Sequence, residues 1–265
     1  MAERLGAEIV SVDSMAVYRR LDIGTAKPGA KERARVPHHL VDVAEPSESY
    51  NVALWLDGVA GALAAIRGRG RRILFVGGTP LYLRALRDGL APLPGPAPEI
   101  RERLRAEALA RGPGPLHARL AVIDPAAARR IHVNDLKRIV RALEVAEGTG
   151  TPLSSTFAPD PHPVFARQMM VVDLPRGLLR DRIDRRVEAM FAAGIVEETR
   201  AALESPGGIG PTAAQAAGYG EAVDFLHGRI PLAEAIRRTQ SRTRQLAKRQ
   251  LTWLRSFPGA VWIAA

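Results

Sequence analysis

The sequence predicts an α/β fold in which a parallel sheet is flanked by helices and interrupted by a helical insert. Three short apolar runs bounded by polar residues or turn signals read as buried strands, at Glu8–Ser14, Arg71–Thr79 and Met169–Asp173. Helical patterns between these runs favour the crossover connections of parallel strands. A charged stretch without strand signals, residues 99–148, follows a proline-rich break and forms the predicted insert.

The first strand is followed by a weaker strand signal and a clear helix. Leu40–Val43 is a candidate for a further short strand. After Ser49, apolar residues recur at the 3.6-residue spacing of an amphipathic helix, namely Val52, Trp55, Leu56, Val59, Leu63 and Ile66. The adjacent His38 and His39 lack the spacing of metal ligands, and we assign them a structural role.

The second strand runs directly into a helix. Thr79 is a good N-cap and Pro80 suits the first helical position, so the Gly77-Gly78 turn opens the helix. In parallel sheets the ligand crevice lies at the carboxyl ends of the strands, where Asp13 and this turn are both expected. Asp13 is there a candidate general base or metal ligand, with a simple turn cap as the alternative. Gly-Gly-Thr alone is a weak signal for a ligand site, and by itself it favours a plain tight turn.

Three segments divide the chain. Residues 1–95 form the first part of the α/β core, residues 96–165 the helical insert and its connection, and residues 166–265 the second part with basic C-terminal helices. The stretch from Ala91 to Pro98 has a proline at every second position, and residues 149–164 are a further proline-rich connection. The third strand is then expected to return to the sheet.

The charge balance favours a polyanionic partner. There are 38 Lys+Arg against 28 Asp+Glu, a net charge of +10, and a pI near 10.8. Only four of the 38 basic residues are lysines, so an arginine-rich composition from a GC-rich genome explains the balance equally well. Only the positions of the basic residues can distinguish a polyanionic partner from a composition set by the genome.

The basic residues near the C-terminus form a stripe on a predicted helix. At 100° per residue, Arg244, Lys248 and Arg255 all lie within about 20° of Arg237. A second basic stripe lies about 100–140° round, and apolar residues fill the remaining side. A solvated surface helix is the alternative, but no acidic residue follows Glu234 on this face, and we predict that the stripe binds a phosphate backbone.

Several classes of protein are excluded. Zero cysteines exclude disulfides, thiolate metal sites and cysteine nucleophiles. No window approaches eighteen uninterrupted apolar residues, and the first residues do not resemble a signal peptide, so we expect no membrane association and a cytoplasmic location.

Taken together, these motifs resemble the tRNA dimethylallyltransferase family. The resemblance follows the chain in order over nearly its whole length. It rests on Ile9–Met15 with Asp22–Pro28, Pro37–Leu40, Val76–Tyr82, Asn134-Asp135 with Arg138, Arg141–Glu144, Arg182–Val187, Gly218-Tyr219 and Thr243–Arg255.

The resemblance implies a P-loop-type core and a specific reaction. Dimethylallyl would pass from its diphosphate to N6 of the adenosine on the 3′ side of the anticodon, in a tRNA anticodon stem-loop. Asp13 would be the general base, and Thr79 and Arg101 would lie beside the reacting centre. The RNA would be contacted by Asp13, Ser14, Met15, Ala16, Lys137, Arg138, Ile139, Val140 and Arg141. Mg²⁺ is the implied cofactor, for the charge that grows on the leaving diphosphate, and a monomer is expected.

One part of the family pattern is missing. No Gly-x-x-x-x-Gly-Lys-Ser/Thr sequence is present, and Met1–Gly6 matches the end of the helix that should follow it. We therefore expect the first strand and P-loop to be absent, through a late start or a degenerate copy, and the chain to bind tRNA without transferring prenyl groups at a useful rate. A P-loop small-molecule kinase and a non-catalytic RNA-binding module are the alternative functions.

Overall fold

The computed structural model describes residues 1–90, 93, 95, 97–156 and 168–264, and it divides into two compact units. The first unit comprises Met1–Arg87 and Pro163–Ala265, and the second Asp88–His162. In the described residues the helices are α1 (Ala2–Leu5), α2 (Ala30–Arg35), α3 (Val52–Gly68), α4 (Pro80–Asp88), α5 (Pro98–Arg111), α6 (Gly114–Ile123), α7 (Pro125–Arg130), α8 (Leu136–Thr149), α9 (Arg176–Ala192), α10 (Ile195–Glu204), α11 (Tyr219–Leu226) and α12 (Leu232–Leu254). No helix within this described part has the length and apolarity needed to cross a bilayer.

A parallel sheet of three strands forms one side of the first unit. It contains β1 (Ala7–Val12), β2 (His38–His39) and β3 (Arg72–Gly77), in the order β2-β1-β3. The central position of β1 explains its apolar sequence, because both neighbours and the helices cover it, and Val10 and Val12 are fully buried. The first two predicted strands are confirmed, but the burial predicted for the second is not, because β3 is half-buried and its Val76 is 47% exposed.

The predicted strand at Leu40–Val43 is wrong. The strand that pairs with β1 is His38–His39, opposite Ile9 and Val10. Leu40 and Asp42 adopt left-handed backbone angles, with φ of 61° and 57°. These angles end the extended chain directly after β2, so the apolar identity of Leu40 reflects burial rather than strand pairing.

A second parallel sheet also lies in the first unit. It pairs β4 (Met170–Asp173) with β5 (Val261–Ala264). The third predicted strand therefore forms, but its partner among the described residues is β5, and the prediction that it returns to the sheet of β1 is wrong for this part of the chain. Strand β5 was not predicted.

Helix α3 packs its apolar face on β1 and β3, as its spacing predicts. Trp55, Val59, Leu63 and Ile66 are buried, and the Asn51 side chain caps the helix by accepting from two backbone amides. The indole of Trp55 donates to the Ser11 carbonyl at 3.0 Å and stacks on the Tyr82 ring, with 4.5 Å between centroids.

The remaining helices of the first unit build a separate core. It joins the segment after β1 to helices α9, α10 and α11 through the buried residues Val17, Tyr18, Leu21, Val187, Met190, Ile195 and Tyr219. Helix α12 buries Ala235 and Thr239, whereas Leu246, which was placed on its apolar side, is 41% exposed. The other apolar residues of this side, Ile236, Ala247, Leu251 and Leu254, are partly buried, so Leu246 alone of the predicted set is exposed.

The second unit is helical in its described residues. Helices α5 to α8 enclose the buried side chains of Leu104, Leu116, Leu120, Ile139 and Leu143. The helical reading of residues 99–148 is confirmed. Half of the proline-rich break at Ala91–Pro98, and the later part of the connection at 149–164, lie outside the described residues. The predicted segment borders at 95 and 165 stay a prediction.

Candidate active site

The turn after β3 is hydrogen-bonded to the segment that follows β1. The Thr79 amide donates to the Val12 carbonyl at 3.1 Å, and the Ser14 amide donates to the Thr79 hydroxyl at 3.0 Å. The same hydroxyl donates to the Ser14 Oγ at 3.3 Å. The two segments that were expected to share one edge of the sheet therefore contact each other directly.

Gly77 is required for this close approach. Its φ is 155°, and a Cβ at this position would lie 2.3 Å from the Val12 carbonyl oxygen. Because backbone and not a movable side chain occupies that space, no other residue fits without displacing β1 from β3. The glycine signal in the sequence thus reflects backbone contact between two strand ends.

Asp13 is at once a turn cap and a carboxylate with an available oxygen. Its Oδ1 accepts from the amides of Met15 at 2.8 Å and Ala16 at 3.2 Å. The other oxygen, Oδ2, has no hydrogen bond among the described residues. The cap orients the carboxylate, so the two readings of Asp13 that the sequence left open are compatible. Ala16 is buried, so only its backbone is placed at this turn.

The segment after Asp13 is held by a buried tyrosine and a glutamate from α10. Glu198 accepts from the amides of Asp22 and Ile23, at 2.9 and 3.0 Å. The Tyr219 hydroxyl donates to Glu198 at 2.6 Å and accepts from the Gly24 amide at 3.1 Å. Burial, and then the hydrogen bond to this glutamate, raise the pKa of Tyr219, which stays a neutral donor. No local pattern in the sequence indicated Glu198.

A buried lysine fixes the same segment from its other end. Lys27 has a side chain only 2% exposed, and its ammonium contacts Asp22 at 2.8 Å, Asp42 at 2.6 Å and the Tyr18 carbonyl. Burial alone would raise the pKa of Asp42, but hydrogen bonds from Lys27 and Arg33 outweigh it and lower the pKa. The left-handed turn at Asp42 places its carboxylate at this lysine.

A second carboxylate cluster lies near the start of β1. Glu8 is 4% exposed and accepts from Arg69 Nε and Nη2, at 2.9 and 2.7 Å, with His39 Nε2 2.7 Å away. The Arg69 hydrogen bonds, opposed by burial and aided by His39, lower the pKa of Glu8 to about 2. The other imidazole, that of His38, contacts the Val36 carbonyl at 2.7 Å. Both imidazoles thus take part in contacts within the fold.

In the second unit, two of the predicted arginines share one buried carboxylate. Glu144 is 2% exposed and accepts from Arg101 at 2.8 Å, from Arg141 at 2.9 Å and from the Ala97 amide at 2.7 Å. Burial tends to raise the pKa of Glu144, and the two arginines and the amide lower it overall. The carboxylate orients both guanidinium groups.

The residues of α8 that were predicted to contact RNA differ in how far they are buried. Lys137 and Arg138 are exposed, whereas Ile139 and Val140 are buried in the core of the second unit. The side chains of Ile139 and Val140 therefore stabilise the helix, and only the charged residues of this run present side chains at the surface.

The basic stripe of α12 is partly neutralised by a neighbouring helix. Arg244 pairs with Asp184 of α9, and Arg237 pairs with Glu234 at 2.6 Å. Within the described chain, Lys248 has no acidic partner. Arg255 lies over the Trp262 ring at 5.8 Å. Asp184 lies 60 positions from Arg244 in the sequence, so the angular spacing of α12 alone could not indicate this pair.

A groove of about 330 Å³ runs between α9 and α12 beside this stripe. It is lined by both cationic and apolar side chains, namely Arg176, Leu179, Arg180, Ile183, Arg244, Ala247, Lys248, Leu251, Thr252 and Arg255. Such a surface suits a ligand with negative charge and apolar parts, as a nucleic acid has.

Comparison with known proteins assigns the chain to a family. The family model described as IPP transferase matches residues 16–257. The chain belongs to the IPP transferase family. This assignment confirms the resemblance drawn from the motifs.

Named relatives of the IPP transferase family cover the entire chain. A tRNA dimethylallyltransferase of Anaeromyxobacter dehalogenans (strain 2CP-C) is 49% identical, over all of this chain and 88% of the relative. One from Thiobacillus denitrificans is 47% identical, over 98% of this chain and 84% of the relative.

Solved structures of the family have the same fold. The full-length tRNA isopentenylpyrophosphate transferase of Bacillus halodurans is 38% identical with a TM-score of 0.69, over 99% of this chain and 83% of its own. A eukaryotic dimethylallyltransferase solved acting on tRNA is 27% identical with a TM-score of 0.82, over 99% of this chain and 68% of its own. The predicted α/β fold class and the assignment to a transferase are confirmed.

Proposed function

We propose that this chain transfers a dimethylallyl group from dimethylallyl diphosphate to N6 of the adenosine on the 3′ side of the anticodon, at the slow rate expected of a sequence without a P-loop. The observation that supports this best is the agreement between the named relatives, which match the whole chain, and the Asp13–Thr79 site. A tRNA substrate and prenyl transfer are properties of the relatives by name. Their assignment to these particular residues is our proposal.

Asp13 is the proposed general base. The N6 amine attacks C1 of the dimethylallyl group, an N–C bond forms, and the C–O bond to the diphosphate breaks. The amine loses a proton in this step, and Asp13 Oδ2 accepts it while Oδ1 stays bound to the Met15 and Ala16 amides. Since those amides fix the carboxylate, little reorganisation is needed at the moment of attack.

Thr79 and the basic residues position the substrates. The Thr79 hydroxyl, fixed by Ser14, is proposed to lie beside the reacting centre. The role that the family resemblance implies for Arg101 stays a prediction. Lys137, Arg138, Lys248 and the groove of α9 and α12 are proposed to bind tRNA phosphates. These contacts supply the free energy for taking the target base out of its stack, a few kcal/mol.

The described residues do not by themselves fit a magnesium site. None of them form a group of three or more His, Asp or Glu side chains arranged around an ion. Mg²⁺ in nucleotide and diphosphate enzymes takes most ligands from phosphates and water, so the predicted ion would arrive with the diphosphate. A requirement for Mg²⁺, the diphosphate donor and a monomeric state stay predictions.

The test compares the rate of prenyl transfer to tRNA by the unchanged chain, by Asp13→Asn and by the control variant Asp57→Asn. Asp57 is a suitable control because it lies on the exposed face of α3. Asparagine keeps the size of the side chain but cannot accept the proton, so turnover should fall about 10²–10⁴-fold in Asp13→Asn and stay unchanged in the control. Affinity for tRNA should stay within about twofold, because phosphate contacts dominate it.

The two alternative functions give different results in the same assay. A small-molecule kinase would consume a nucleoside triphosphate without tRNA. An RNA-binding module would bind tRNA with a salt-dependent affinity and release no diphosphate. Near-normal turnover in Asp13→Asn would contradict the general-base assignment.

A further inference from the structure

The C-terminal helix reaches the turn that holds Thr79 through one side chain. Gln250 Nε2 donates to the Gly78 carbonyl at 2.7 Å, across 172 positions of sequence. On α12, Gln250 lies about 220° round from Arg237, away from the basic stripe. Its amide is therefore directed into the fold rather than toward a ligand on the stripe.

We propose that Gln250 is a positioning residue that fixes Thr79 through the Gly78–Thr79 peptide group. The catalytic consequence rests on the proposed function, whereas the positioning itself does not. No step of the reaction passes through Gln250, and it is not assigned a contact with substrate.

The Gly78–Thr79 peptide group is held at both ends. Its carbonyl accepts from Gln250 at 2.7 Å, and its amide donates to the Val12 carbonyl at 3.1 Å. In a planar trans peptide the C=O and N–H groups point in opposite directions, so these bonds act from opposite sides. Together they prevent the peptide group from rotating about the chain.

Such a restraint matters here because the preceding residues are glycines. Gly77 and Gly78 have no side chains to limit their backbone angles, and either could adopt several conformations at little cost. A Cβ on Gly78 would lie 2.6 Å from Gln250 Nε2, so the glycine also makes room for the amide. Gln250 therefore restrains a turn whose two glycines would otherwise leave the backbone flexible.

The C-terminal end of α12 is itself fixed against the helix that begins after Thr79. The Arg84 guanidinium lies over the Trp253 ring at 5.8 Å, and that of Arg87 lies over the Phe257 ring at 4.6 Å. Both arginines belong to α4, whose first residue is Pro80. Gln250 therefore acts from a support that is attached to the same turn.

The position of Thr79 is passed on to the carboxylate at the site. The Thr79 hydroxyl binds the Ser14 amide and Oγ, and Ser14 follows Asp13 directly in the chain. If the Gly78–Thr79 peptide rotates, the Thr79 side chain moves, and the restraint on Ser14 is lost. Gln250 thus sets the geometry of both predicted catalytic side chains.

The first experiment measures hydrogen exchange of the Thr79 amide, which requires no turnover. In Gln250→Ala this amide should exchange about tenfold faster, as expected for the loss of one supporting hydrogen bond. The matched control is Gln215→Ala, whose Nε2 also donates to a backbone carbonyl, that of Pro211, at 3.2 Å. This control should leave Thr79 exchange unchanged. Equal exchange in Gln250→Ala and the unchanged chain would overturn the proposal.

A second variant tests the hydrogen bond itself. Gln250→Glu keeps the length of the side chain but can donate to Gly78 only when protonated. Thr79 protection should therefore be low at pH 7 and recover as the pH falls toward about 4, near the pKa of an ordinary glutamate. Protection in the unchanged chain should stay flat after correction for intrinsic exchange. A glutamate variant without this recovery would show that the contact only fills space.

Kinetics connect the positioning to the reaction. Gln250→Ala should lower kcat about tenfold or more and leave the KM for tRNA within about twofold. In a Thr79→Ala background the further loss from Gln250→Ala should vanish, because the residue acts through Thr79. If Gln250→Ala lowers kcat by the same factor in the Thr79→Ala background as in the unchanged chain, the proposed route through Thr79 is wrong. Absence of prenyl transfer in the unchanged chain, with the exchange results as expected, would count against the proposed function alone.

Discussion

Replacing Glu8 by glutamine should remove a charge interaction that stabilises the first unit mainly above pH 4.5. Glu8 is the buried end of a pair whose other end, Arg69, has a side chain 50% exposed. Its pKa, lowered from 4.5 to about 2, corresponds to about 3 kcal/mol of stability at neutral pH. Screening at the exposed guanidinium reduces this, so we expect Glu8→Gln to lose about 2 kcal/mol.

The pH dependence follows from the direction of the shift. A carboxyl group whose pKa is lower in the folded state stabilises the fold above its unfolded value and loses that contribution as the pH falls toward the folded value. The difference in free energy of unfolding between the unchanged chain and Glu8→Gln should therefore be constant above about pH 5.5 and less than half as large at pH 3. Below pH 2 the two proteins should have equal stability, since both then carry a neutral side chain.

Urea unfolding followed by tryptophan fluorescence provides the assay. All three tryptophans, Trp55, Trp253 and Trp262, lie in the first unit, so the signal reports on the unit that contains Glu8. Glu3→Gln is the matched control, because Glu3 also pairs with an arginine, Arg35, but both side chains are exposed. The control should lose less than about 1 kcal/mol. A deficit in Glu8→Gln that does not change with pH would refute the charge argument and point to packing.

Two further predictions concern the RNA surface and the segment after β1. Replacing Arg244, Lys248 and Arg255 together by alanine should weaken the binding of all tRNAs, whatever their sequence. The slope of log K against log salt should fall by about 2–3, because each phosphate contact contributes about 0.7–0.9. An unchanged slope would identify the stripe as a solvated surface. Tyr219→Phe should destabilise the first unit by about 1–3 kcal/mol in urea unfolding, because it leaves the Gly24 amide and Glu198 without their partner; a loss below about 0.5 kcal/mol would show that water replaces the hydroxyl.

Local sequence pattern predicted the elements that carry a continuous apolar run or a regular apolar spacing. Strands β1, β3 and β4 and helix α3 have apolar runs or spacing that no other local structure explains as well. Strand β2 was missed because its two residues are histidines, and its position depends on pairing with Ile9 and Val10. Because the neighbouring Leu40 is apolar, the strand was predicted to begin two residues too far along the chain.

The candidate site was predictable only where it depends on strand ends. Asp13 and Thr79 meet because parallel strands end at the same edge of a sheet, which a sequence can indicate. The contacts of Glu198, Asp184 and Gln250 cross 60 to 176 positions and depend on how helices pack, which periodicity cannot reveal. The buried Glu144 shared by two arginines belongs to the same class of contact.

The division of the chain into units has a consequence for its synthesis. Residues 88–162 form one unit that is continuous in sequence, whereas the other needs both 1–87 and 163–265. On a ribosome, which releases the N-terminus first, the helical unit can complete its core while its neighbour still lacks its second half. The bond from Gln250 to Gly78 can form only after residue 250 has been made, so until then the Thr79 turn lacks this one restraint. Chains released before residue 250 is made would therefore lack this restraint on the Thr79 turn.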